Sequence, residues 1–163
     1  MIDHRTASDG ALVTTVVAFL LDGQRYGVHV NTVERVVHMV AVSPLPGAPG
    51  ITIGAINVHG AVVPVLDLRR RFGLPPLDYG VTGHLLIVRT PTRSVAFPVD
   101  AVVEVTEVDP ETVRPAAILL PGVGYVSGIA ATPDGLLFIH DVDTFLSAAE
   151  EVQLAAAVTE VQA

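Results

Sequence analysis

Six histidines, at 4, 29, 38, 59, 84 and 140, are the residues of this chain most able to hold a metal or move a proton. A transition-metal site needs three or four such ligands converging in space, usually announced by close spacing or joined by thiolates. Here there is no H-x-H, no H-E-x-x-H and no cysteine, so the imidazoles read as isolated surface or strand-end groups and no metal or cofactor is expected. Acid–base or nucleophilic catalysis needs a nucleophile beside an oriented base, or carboxylates in a cleft. The acidic group Glu104, Glu107, Asp109 and Glu111 fits a solvated strand edge and turn, where charge deters edge pairing. Asp100, between Val99 and Ala101, reads as a turn former. Glycines 122, 124 and 128 lack the following lysine of a phosphate loop. No enzymatic constellation emerges.

Composition narrows the class further. In 163 residues, 50% are apolar and 16% charged, which excludes disorder, and a valine excess leans toward β structure. The net charge is −8, and all nine basic residues are arginines. The only basic run, Arg69-Arg70-Arg71, is read as solvating a short helix and favouring its C-terminal end, so nucleic acid is not an expected partner. The apolar run from 12 to 21 is too short to span a bilayer, and no basic leader precedes it. A soluble cytoplasmic protein is expected, without membrane insertion.

The elements that position these groups are short and turn-punctuated. Residues 1–10 read as a flexible tail. Asp22-Gly23 between the apolar runs 12–21 and 25–30 is a hairpin signal. Asn31 can cap a short helix carrying Val33, Val36 and Val37 at helical spacing. Strands are expected at 61–66, 84–90, 93–99, 101–108, 125–131 and 135–140, a pattern of small barrels. Asp67 can cap a helical turn at 68–72, stopped by Gly73 and Pro75. Residues 142–161, free of Gly and Pro, predict closing helix, with 150–163 as a C-terminal helix after a domain spanning 11–149.

The stretch GAINVHGAVVPVLDLRRRFGLP at 54–75 joins a turn, an edge-type strand bearing Pro64 and the capped helical turn. It resembles the signature of CheW-like domains, close to G-x-x-N-x-R-G-x, two β-branched residues, Pro, a β-branched residue, then x-D-L-R. FLLDGQRYGV at 19–28 is similar to that family's opening hairpin, Phe97-Pro98-Val99-Asp100 to a strand turn, and Val113-Arg114-Pro115-Ala116 to an I-R-P-x-P stretch; Gly128-Ile129 and His140-Asp141 fall at the late strand positions. The resemblance implies a mainly β fold: two intertwined SH3-like five-stranded β-barrels sharing a hydrophobic seam, with short helices and a C-terminal helical segment. It implies a non-enzymatic adaptor with no cofactor, linking the cytoplasmic tip of a chemoreceptor to the regulatory domain of a CheA-type histidine kinase at receptor arrays beneath the inner membrane. The implied receptor-binding residues are Val30, Val33, Arg35, Gly54, Asn57, His59 and Gly60. Arg114 and Leu119 are the implied kinase-side contacts.

The chain departs from the pattern at two places. His59 stands where the family usually has Arg, and Arg35 where it usually has an acid near that Arg. Either both side chains point to water, or Glu34 takes the acid's place locally, or the groove is rewritten for a partner of different charge. An adaptor for another motility or developmental pathway and a stand-alone ligand-binding β-barrel remain the alternative functions.

Overall fold

A computed structural model describes residues 4–6, 12–79, 82–115 and 126–162 of the chain. Its strands are β1 (His4–Thr6), β2 (Leu12–Leu21), β3 (Gln24–His29), β4 (Val33–His38), β5 (Thr52–Val58), β6 (Ala61–Leu66), β7 (His84–Arg89), β8 (Ser94–Val99), β9 (Ala101–Val108), β10 (Arg114–Pro115), β11 (Val126–Thr132) and β12 (Gly135–His140). Among the described residues, helix α1 (Leu68–Arg71), helix α2 (Ala148–Gln162) and three 3-10 turns complete the regular structure.

Two SH3-like barrels result, and the chain enters the first, leaves it for the second and returns. Five strands of the first sheet run β9-β2-β3-β12-β11, with the short β1 and β10 appended, while the second runs β4-β7-β8-β6-β5. β3 meets β12 in parallel, joining the chain's first hairpin to its last. β1 pairs His4–Thr6 with Leu12–Thr14 of β2 inside the segment expected as a tail.

The strand β2 explains why both barrels need each other. Its period-2 alternation sends Val16 and Ala18 into the first barrel with Ala130, Leu137 and Ile139, while Val17, Phe19 and Leu21 face the other way. That second face joins Leu86, Val88, Val95, Phe97 and Val99 of the second barrel and Val142 and Phe145 in one shared cluster. Phe19 packs against Phe97 with the rings tilted at 51° and their centroids 5.4 Å apart. The second barrel encloses its own group, Ile56, Val63, Val65, Leu85, Ile87 and Ala96. Helix α2 covers this barrel through Leu154, Ala157 and Val158 against Leu45 and Ala55.

One element differs from the sequence reading. Residues 30–32 form a single 3-10 turn, and 33–38 are strand β4, paired with β7 from Val33↔Val88 to His38↔His84. The spacing of Val33, Val36 and Val37 suits a helix, but Val-Glu-Arg-Val-Val-His is rich in β-branched residues, and an open edge of β7 offers it a ladder. The strand Thr52–Val58 was not among the expected ones; Gly54 lies in it, where the backbone of Ser43 closes on β5.

Candidate functional site

The β5–β6 hairpin ends in the two-residue turn His59-Gly60, with φ of +51° and +87° and flanking pair Val58↔Ala61. Both positive values belong to a type I′ turn, whose twist matches that of the strands. Histidine is one of the few side-chain-bearing residues tolerated in this left-handed region, and glycine at 60 occupies it without strain. Asn57 Oδ1 accepts a 2.8 Å hydrogen bond from the Gly60 N–H, tying the turn to its strand.

The same hairpin tip meets strand β4, which lies at the opposite edge of the sheet's strand order. A bulge between Val33 and Arg35 re-aims the Arg35 side chain. Arg35 Nη1 lies 3.0 Å from His59 Nε2, both side chains exposed. A guanidinium only donates, so a hydrogen bond across this contact needs Nε2 as its acceptor. Both side chains reach solvent, as one simpler reading expects, but they also contact each other; the Glu34 carboxylate accepts from the Ser94 hydroxyl.

A surface groove runs from this pair along Val58, Val62 and Ile87 toward Arg89, Arg93 and the end of α2 at Val158 and Gln162. Arg93 is paired with Glu151 at 3.0 Å. Sequence reasoning missed Arg89, Arg93 and Ser94 as groove residues because they come from β7, β8 and the turn between them, remote in the chain from residues 54–60.

The other residues named from sequence are placed as follows. Val30 and Val33 are half-buried against the shared cluster, at the crossing between barrels. Gly54 is buried: a Cβ there would sit 2.2 Å from the Ser43 carbonyl oxygen and 2.8 Å from Val42 Cγ1. Arg114 is exposed on β10, whose partner is Ile129 of β11, so it belongs to the first barrel while Arg35, Asn57, His59 and Gly60 belong to the second. Leu119 lies outside the described residues.

The arginine run corrects a second expectation. Arg69 is only 6% exposed. Its Nη2 donates to both Asp100 oxygens at 2.9 Å, its Nε to the Tyr79 hydroxyl at 2.9 Å and its Nη1 to the Pro75 carbonyl. Tyr79 also donates to Asp100, and the Asp22 backbone N–H reaches the same carboxylate. Burial alone would raise the Asp100 carboxyl, but the bonds from Arg69, Tyr79 and the Asp22 amide hold it below the usual carboxylate range. The Tyr79 phenol is pushed up to about 12, by burial first. Arg70 donates to the Gly50 carbonyl, and Arg71 pairs with Glu150 of α2 at 2.6 Å. None of the three merely solvates the helix. Asp67 does cap α1, accepting from Arg70 N.

The histidines also depart in part from the surface reading. His140 is fully buried, stacked on Phe72 with centroids 4.5 Å apart, while His38 and His84 face each other across β4 and β7 at 5.1 Å. Among the described residues, no group of three His, Asp or Glu side chains is arranged to hold a metal ion. No described helix is long and apolar enough to cross a membrane.

Against known proteins, the model of the CheW-like domain family matches residues 15–150. The chemotaxis protein CheW of Klebsiella aerogenes is 27% identical over 135 residues, 81% of each chain. That of Treponema pallidum is 26% identical over 146 residues, 86% of each. Among solved structures, the scaffolding protein TtCheW from Thermoanaerobacter tengcongensis superposes with a TM-score of 0.74 at 28% identity, over 83% of this chain and 89% of that one. With both barrels, their shared seam and residues 15–150 accounted for, the chain belongs to the CheW-like domain family.

Proposed function

We propose that this protein is a non-enzymatic scaffold of chemotaxis signalling, holding the cytoplasmic tip of a chemoreceptor on the second barrel and the regulatory domain of a CheA-type histidine kinase on the first. It works in the cytoplasm, at receptor arrays beneath the inner membrane. Family membership over residues 15–150 carries the reading.

The receptor surface comprises Val30, Val33, Arg35, Asn57, His59 and Gly60, with Gly54 acting from beneath by letting Ser43 approach β5. The half-buried valines supply apolar contact for a helical segment, and the turn's polar groups set its register. Arg114, with Leu119, serves the kinase side. Because Arg114 and the His59 turn lie on different barrels, both partners can be held at once. The task is then geometric coupling, for which a rigid double barrel suffices without chemistry.

Co-purification of the tagged chain from its native cell tests this. A chemoreceptor and a CheA-type kinase should come down together with it. Recovery of neither, or of a small molecule in their place that alone shifts the melting curve, would replace the scaffold reading with a ligand-binding one.

A further inference from the structure

Arg35 and His59 put two cation-capable groups 3.0 Å apart on an exposed edge. Among the described residues, Arg35 forms no ion pair. The neighbouring acid on its own strand, Glu34, is held by Ser94, and across the groove Arg93 is satisfied by Glu151 of α2. Arg89, from β7, adds a further positive group to the same groove. The titratable and charged groups around His59 are thus Arg35 and Glu34 on β4, Arg89 on β7, and Arg93 on the turn before β8 with its partner Glu151 on α2. On a chain of net charge −8, this is a local site of the opposite sign.

We propose, resting on the receptor-binding reading above, that the Arg35–His59 pair is a specificity site for an acidic side chain of the receptor tip, and that His59 makes its occupancy pH-dependent. With no carboxylate present, His59 Nε2 serves as the acceptor that Arg35 otherwise lacks. An arriving Asp or Glu takes that role, since a guanidinium and an imidazolium can both donate to one carboxylate. The displaced His59 then gains by taking up a proton, which converts it from a competing acceptor into a second cationic donor. Proton uptake is therefore linked to binding, and affinity rises as pH falls through the histidine range.

The test measures affinity of the intact protein for a chemoreceptor cytoplasmic-tip fragment from the same cell, at two pH values, for wild type, His59→Asn and His59→Arg. Asn is chosen because it tolerates the positive φ of this turn without a titrating group. Wild type should bind roughly three- to tenfold more tightly at about pH 6 than at about pH 8. His59→Asn should bind with a flat profile, and His59→Arg with a flat profile at the tighter level. Scanning the fragment's exposed acids to amides should find one whose loss removes the dependence. Equal wild-type affinity at both pH values, or a dependence that persists in His59→Asn, would overturn the carboxylate site while leaving the scaffold reading standing. Absence of any receptor binding at either pH would overturn both.

Discussion

Arg69 of α1 and Asp100 of the β8–β9 turn are joined by paired 2.9 Å hydrogen bonds, from one guanidinium nitrogen to both carboxylate oxygens. The same carboxylate accepts from the backbone of Asp22 in the first hairpin. A single acid thereby links the β2–β3 turn of the first barrel to the helix that follows β6 of the second. The shared apolar seam brings the barrels together, and this polar knot fixes their register at one end.

Asp100→Asn should lower stability by about 3 kcal/mol, because the nearly buried Arg69 charge loses its nearer carboxylate and keeps only that of Asp22, at 3.6 Å. For a chain of this size, that corresponds to a drop of roughly 6–12 °C in Tm. The pH dependence has a definite sign. The Asp100 carboxyl is depressed in the folded state, so its contribution is present above the ordinary carboxylate value of about 3.9 and disappears as pH falls through the lower folded value. Glu150, depressed by the Ser147 amide and Arg71 against the effect of burial, behaves in the same direction. Acid denaturation followed by circular dichroism should show a shallower acid limb in Asp100→Asn than in wild type. An unchanged limb would remove the knot from the account.

Gly54→Ala should destabilise by about 2 kcal/mol or more, since the new methyl meets the Ser43 carbonyl at 2.2 Å and backbone must move. Its effect on receptor affinity should follow from loosening of the Val42–Ser43 segment. Hydrogen exchange at the Ser43 and Ala55 amides, which bond each other's carbonyls, checks this: both should lose protection together. Retained protection with normal melting would show that Gly54 is not required for the approach.

Gly60→Ala places a methyl in open space but at φ +87°, so strain alone is at issue. It should cost about 1 kcal/mol, with Gly60→Asn costing less. Urea melts of the two variants measure the difference. Equal stability of wild type and Gly60→Ala would mean the turn relaxes away from type I′.

Arg114→Glu should weaken kinase-domain binding while leaving receptor-tip binding unchanged, since Arg114 lies on β10 of the first barrel and the His59 turn on the second. Titration of each partner separately reads this out. Loss of both affinities, or of neither, would detach Arg114 from the kinase surface.

Local chemistry was readable from the chain where it needed no distant partner. Asp22-Gly23 forms the predicted turn, with φ of +52° and +78° between Leu21 and Gln24. Asp67 caps the predicted helical turn, and the strands from 61 to 108 lie within a residue of their expected bounds. What sequence spacing misread depends on remote contacts. Residues 33–38 adopt a strand because β7, some fifty positions away, supplies the ladder. Arg69 looked solvated within its run because Asp100, 31 residues on, is invisible to local patterning. His140 does end a strand, but its burial under Phe72 and Tyr26 could not be read from its neighbours in the chain. At the candidate site, the 54–75 stretch announced a turn ahead of its edge-type strand, whereas the Arg35–His59 contact, 24 residues apart, came from resemblance rather than from any local signal.

The proposed scaffold must hold two partners at once on one rigid double barrel. Analytical ultracentrifugation of the intact protein mixed with a receptor-tip fragment and a CheA regulatory domain measures it directly. A complex containing all three components is expected, with Arg114→Glu removing only the kinase domain and Arg35→Glu removing only the receptor fragment. Mutually exclusive binding, in which each partner displaces the other, would contradict it.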